Sequence, residues 1–214
     1  MTRVRRRLRR RDRRVRLQPE LCGGTGNIEK WHRGDLSRGP YAQAVHVVLV
    51  QPEIAPNTGA IVRLCANTGC DLHLIEPLGF ELTDPLLRRG GLDYHEYVSV
   101  QVHPSLDNLL AALPGRSFGF SSWASRAYTE VEFAPDDVFV FGAERSGLPG
   151  TAKALIPEDQ LLVIPMRAGN RSLNLANAAS VVVYEAWRQH GFSGASRDRS
   201  GLTSESPGVD PFDT

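Results

Sequence analysis

Cysteine is scarce in this chain, and so are the devices that staple a small fold. Among 214 residues there are three cysteines, Cys22, Cys65 and Cys70, with no C-x-x-C pair. That count argues against a disulfide framework or a zinc knuckle and points to a reducing compartment, the cytoplasm. The thiols are read as small, inert groups. No apolar run approaches the roughly 18 residues that a membrane-spanning helix needs, so no membrane partner is expected. The glycine fingerprint of dinucleotide-binding folds is missing: Gly23-Gly24-Thr25-Gly26 has no strand before it, which leaves a nucleotide-dependent oxidoreductase unsupported. There is no P-loop, no H-E-x-x-H and no G-x-S-x-G. The histidines are scattered, and His46 and His73 are read as packed or edge residues of strands rather than ligands; no metal site is expected.

What is present is unevenly distributed. The chain carries a net charge of +1, yet residues 1–16 hold ten arginines against one acid, Asp12. That segment is therefore +9 and the rest of the chain −8. Such a run cannot pack a core and is expected to be disordered. It could hold RNA phosphates without reading sequence, or be a solvated tail, or derive from a wrongly assigned start. Residues 17–44 lack periodicity and read as linker, which makes 1–44 a disordered Arg-rich head and linker. Residues 191–214, with five serines, four glycines and two prolines, read as a flexible tail. The folded unit is expected over 45–190.

Within that unit, apolar runs alternate with helical patterns. Strands are predicted at 45–50, 72–75, 98–102, 117–121, 138–141 and 161–164. Helices are predicted at 58–68, 84–90, 105–113, 148–155 and from Ser172 to about His190. This rhythm, with nearly all-apolar strands, indicates an α/β fold: a mostly parallel sheet covered by helices on both faces. In such sheets ligands bind beyond the carboxyl ends of the strands, so the post-strand segments carry the candidates.

After the first strand, Asn57 can cap a helix opened by Thr58, and Arg63 then lies in its second turn, able to reach back to the strand ends. A plain cap and a surface arginine explain the same residues. Residues 141–150 place three glycines in a loop with Glu144 and Arg145, a backbone that approaches a ligand or simply a tight turn. Residues 165–174 feed an amphipathic helix, with Ser172 as its N-cap and Asn174 in the first turn, near free N–H groups suited to an anion. Arg88 and Arg89 on a short helix could grip phosphates or merely face solvent. The last helix is apolar on more than one face, which implies burial all round, against a second subunit or in a large core.

Five strings in register carry a resemblance: N-T-G-x-x-x-R-L-C-A-N-T-G (57–69), L-R-R-x-G-L-D-Y-H-E (87–96), F-G-x-E-x-x-G-L-P (141–149), I-P-M (164–166) and S-x-N-L-x-N-A-x-S-V-V-V-Y-E-A-W-R-Q (172–189). Together they resemble the signature motifs of the SPOUT RNA methyltransferases, and more narrowly the tRNA (cytidine(34)-2'-O)-methyltransferase family, over 45–190. The resemblance implies a C-terminal deep trefoil knot, which sequence patterns alone would never suggest. It also implies a homodimer through the last helix, S-adenosylmethionine (SAM) as methyl donor, and tRNA as partner. The expected target is the ribose 2'-hydroxyl of the wobble nucleotide, a cytidine or modified uridine, of leucine tRNAs.

Carried over residue by residue, the resemblance implies that Phe120, Gly142 and Ile164 hold SAM through backbone groups, with Ser172 nearby. Arg63 would activate or orient the 2'-hydroxyl, with Glu144 and Asn174 at further active-site positions. Asn57 would support Arg63, and Arg88, Arg89 and Tyr184 would touch tRNA or the partner subunit. Arginine is a poor base because its pKa lies above about 12, so electrostatic stabilisation is the favoured role for Arg63. Another tRNA or rRNA position, or a non-catalytic RNA-binding relative, are the alternatives. The loop arginine, Arg145, falls one place earlier than in close relatives, which leaves its role open.

Overall fold

The computed structural model describes residues 45–82, 100–170 and 172–195. Residues 1–44, the segment 84–90 expected to form a short helix with Arg88 and Arg89, and residues 196–214 of the tail lie outside the described residues. The elements run in the order β1 (His46–Val50), α1 (Ala55–Thr68), β2 (Asp71–Ile75), β3 (Val100–His103), α2 (Leu106–Ala112), β4 (Ser117–Phe120), β5 (Arg126–Ala127), β6 (Val138–Phe141), α3 (Gly150–Lys153), β7 (Leu161–Val163) and α4 (Leu175–Gln189).

The strands form one sheet in the order β3-β2-β1-β6-β4-β7-β5, and every strand pair is parallel. β1 lies centrally, with Val48 opposite His73 on one side and Val140 on the other. All five of its residues are buried, as a strand covered on both faces requires. One face packs Val47, Leu49, Phe139 and Leu162 under α1 and α4, through Ile61, Cys65, Ala179 and Val182. The other packs Val48, Val50 and Val140 under α2 and α3, through Leu106, Leu109 and Ala152. The expected two-sided α/β architecture is therefore present. On the first face, Phe133 meets Phe118 and Phe139 with ring centroids 5.4 and 4.8 Å apart, in edge-to-face geometry.

Four local expectations are corrected. α1 begins at Ala55 rather than Thr58, because Pro56 suits a first helical turn, where no intrahelical N–H partner is needed. Asn57 consequently sits inside that turn, and Arg63 lies in the third turn. α4 begins at Leu175, and its N-cap is Asn174, whose Oδ1 accepts hydrogen bonds from the Ala176 and Asn177 N–H groups at 2.9 and 3.3 Å; Ser172 is exposed ahead of the helix. α3 is only four residues long, following Pro149. Finally, α4 is not buried all round: Val181 and Tyr184 are 38% and 45% exposed. The expectation of burial all round therefore does not hold for the protomer: the face bearing Val181 and Tyr184 is open to solvent.

A seventh strand, β5, went unpredicted. It has two half-buried residues and no apolar run; only its pairing with β7 makes it a strand. At the other end, the folded chain continues past His190 into a turn, where the Trp187 indole donates to the Ser193 carbonyl at 2.9 Å.

Candidate functional site

The carboxyl ends of β4, β6 and β7 open into a cavity of about 270 Å³. This is close to the lower end of small-molecule sites, roughly 300 Å³. Phe120, Gly142, Ile164 and Ser172, the four residues expected at the cofactor, all line it. Phe120 and Phe141, opposite each other in register, stack at 4.7 Å with an interplanar angle of 13° and give it an aromatic wall. Leu148, Leu173 and Leu175 add apolar surface.

Glycine is obligatory at 142. A Cβ there would lie 2.0 Å from the carbonyl carbon of Gly147 and 2.1 Å from the Leu148 nitrogen. The loop folds back so tightly because Gly147 adopts φ +68° and donates its N–H to the Ala143 carbonyl at 2.8 Å. The result is a cavity edge made of backbone.

Beside the cavity, three segments distant in sequence are joined by one hydrogen-bond network. The Glu144 carboxylate accepts from the backbone N–H of Glu53 (2.7 Å) and of Ile54 (3.2 Å) and from Asn57 Nδ2 (3.0 Å). Asn57 Oδ1 in turn accepts from Asn174 Nδ2 at 2.8 Å. Ile54, at the N-cap of α1, has no side-chain cap of its own. Glu144 fills that place from the β6 loop, and its charge sits at the positive end of the α1 dipole. The Glu53 carboxylate answers by accepting from the Arg145 N–H at 3.2 Å, so the two loops clasp each other. Asn57 is thus a buried link between helices rather than the cap of its own helix.

Two further expected residues, Arg63 and Tyr184, lie on exposed helix faces. Arg63 is exposed on α1, six residues beyond Asn57 and hence about 240° around the helix. It shares an exposed stripe with Ala60 and Asn67. Tyr184 is exposed on α4, its ring edge-on to Trp187 at 5.7 Å. Arg88 and Arg89 lie outside the described residues. Sequence reasoning missed Glu53, Lys153 and Trp123, the last two lining the cavity. An acid directly before a helix start was the available signal for Glu53; a large aromatic in a serine-rich stretch was the signal for Trp123.

Away from the site, His46, His73 and His103 form a row across β1, β2 and β3, with ring nitrogens 3.2 and 3.1 Å apart. Burial, then the neighbouring His46 and His103, push the His73 pKa down to about 3. Both described thiols are buried, and burial pushes Cys70 up to about 11. Among the described residues no group of three or more His, Cys, Asp or Glu is arranged to hold a metal ion. None of the described helices is long and apolar enough to cross a membrane.

The donor set fits a nucleoside-bearing cofactor: backbone polar groups at three strand ends for a base edge, aromatic and aliphatic walls for its faces, and a serine near the start of α4. The sequence profile of the SpoU rRNA Methylase family matches residues 44–184. The chain is 54% identical over 152 residues to the tRNA (cytidine(34)-2'-O)-methyltransferase of Burkholderia ambifaria, covering 70% of this chain and 97% of that one. It is 48% identical over 157 residues to the Yersinia pestis protein of the same name, covering 71% and 97%. Among solved structures, one from work on the 2-OH methylation of C/U34 on tRNA is 44% identical with a TM-score of 0.66, covering 72% of this chain and 99% of that one. The SpoU methyltransferase AviRb of Streptomyces viridochromogenes, solved in complex with AdoMet, is 25% identical with a TM-score of 0.64, covering 76% and 64%. The chain belongs to the SpoU methylase family, and within it to the tRNA (cytidine(34)-2'-O)-methyltransferases.

Proposed function

We propose that the protein methylates the ribose 2'-hydroxyl of the wobble nucleotide of tRNA, position 34, a cytidine or modified uridine of leucine tRNAs, with SAM as donor. The observation that carries this reading is the joining of the β1, β6 and β7 segments by Glu144, Asn57 and Asn174 beside a backbone-edged cavity. The names of relatives at about half identity support the substrate, and the AdoMet-bound neighbour supports the donor. SAM, when bound, supplies an electrophilic methyl group on a sulfonium.

The chain's own residues then have separable tasks. Phe120, Gly142 and Ile164 offer backbone groups to the cofactor, and Ser172 offers a hydroxyl. Glu144, already accepting three hydrogen bonds, acts as a positioning residue rather than as a base. Asn57 and Asn174 transmit its position to α1 and α4. Arg63, a cationic hydrogen-bond donor with no acceptor, orients the 2'-oxygen and stabilises the negative charge that develops there. Arg88, Arg89 and Tyr184 serve tRNA or a partner subunit.

The same reading includes a C-terminal trefoil knot and a homodimer through α4, acting in the cytoplasm. Insertion of β6 between β1 and β4, and return of α4 to α1, are consistent with the knot. The exposed Val181 and Tyr184 side chains on α4 are consistent with the dimer. Residues 1–44 remain, in this reading, an arginine-rich head outside the catalytic unit.

The test is methyl incorporation from labelled SAM into bulk tRNA. Incorporation by the wild-type protein is expected, with Arg63→Ala reducing it about 100-fold or more. No incorporation despite intact SAM binding would overturn the reading in favour of a binding-only protein.

A further inference from the structure

We propose that Trp123 is a stacking platform for an unpaired base of the RNA substrate at the mouth of the cavity; this rests on the methyl-transfer reading above. Trp123 is 90% exposed, while no other exposed large apolar side chain of the described residues exceeds 45%. It is not exposed because its loop is loose. The Ser121 N–H is held by the Leu162 carbonyl of β7 at 2.9 Å, Ser121 Oγ accepts from the Trp123 N–H at 3.3 Å, and the Ser121 carbonyl accepts from the Ala124 N–H at 3.2 Å. The indole is therefore carried on a turn pinned to the sheet directly after β4, on the cavity rim. Trp187 shows the contrast: its indole donates to Ser193, and its ring meets Tyr184 and Phe192. Among the described residues no ring or cation packs on Trp123.

The surroundings select the occupant. A cofactor base would be enclosed by the buried walls, Phe120 and Phe141, to which an indole so exposed adds little. The turn that carries the indole is polar, with Ser122 and Ser125 exposed beside it, and the exposed apolar side chains on the same cavity, Met166 and Leu173, come from the segment after β7. Arg145 and Lys153 line the same cavity, so a flat aromatic face stands near cations. That combination suits single-stranded nucleic acid, whose bases stack on aromatic rings while its phosphates meet basic side chains.

The experiment measures affinity of the full chain for an anticodon stem-loop RNA and, separately, for SAM. Trp123→Ala is expected to weaken RNA binding by about 5- to 100-fold, Trp123→Phe to retain most of it, and SAM affinity to stay within about twofold in both. Binding to a blunt RNA duplex should not change. RNA affinity unaltered in Trp123→Ala overturns the proposal, as does equal loss in the Phe and Ala variants, or parallel loss of SAM affinity. Wild-type methyl transfer, run alongside, distinguishes failure of the catalytic reading from failure of this one.

Discussion

In the proposed function Glu144 positions and Arg63 carries the chemistry, and single substitutions separate the two tasks. Glu144 accepts from two backbone N–H groups and one amide N–H, so all three of its partners are donors. Glu144→Gln turns one acceptor into an NH2 facing a donor, and should cost about 1–3 kcal/mol, read as a lower Tm together with lost transfer. Arg63→Ala, at an exposed position, should leave stability within about 0.5 kcal/mol while abolishing most transfer. His73 gives a third residue-scale outcome. Its folded pKa of about 3 lies below the unfolded value near 6.5. Neutral His73 is therefore favoured in the fold, and its stability contribution is complete above about pH 6.5 and falls as pH drops toward 3. Asp71 and His46 on one side and His103 on the other face the same row. Replacing His73 with Gln should flatten the acid limb of a stability–pH profile; an unchanged slope would locate the acid sensitivity elsewhere. Glu144 stood out in sequence as an acid in a glycine loop. Its role as a cap for α1 was invisible there, because its partners lie about ninety residues away.

The elements were legible to different degrees, for identifiable reasons. β1, β2, β4 and β6 are short, mainly apolar runs that are almost wholly buried, and such runs announce themselves; β7, with Leu162 buried between two half-buried residues, is legible as an apolar run alone. Helix starts were misplaced because the sequence reading gave each cap to the nearest polar residue, whereas α1 is capped from another loop and α4 by Asn174. β5 had no pattern to read. The β6 loop offers the sharpest element-scale test. Gly142→Ala would set a methyl group against the Gly147–Leu148 peptide, so the loop must shift. The expected cost is about 1–3 kcal/mol with weakened SAM binding; normal SAM affinity in a folded variant would mean that this loop does not shape the cofactor site. Asn174→Ala removes both the α4 cap and the link to Asn57, and a loss of about 1–2 kcal/mol in thermal or denaturant melts is expected.

For the whole molecule, one parallel sheet brings three strand ends together, and the folded core carries its surplus apolar surface outward on α4. Tyr184→Glu and Val181→Glu should therefore dissociate an α4-mediated dimer in size-exclusion chromatography without unfolding the protomer; a protein monomeric before substitution would remove that interface from the account. The motif strings indicated the family before any geometry, whereas the knot cannot be read from local patterns, since threading is a property of the entire path. The central claim, 2'-O-methylation at the wobble nucleotide, is tested most directly by nucleoside-resolved mapping of tRNA after reaction with labelled SAM. The account predicts the label as a 2'-O-methyl group at position 34. A label at another nucleotide, on a base, or on rRNA in preference to tRNA would contradict it.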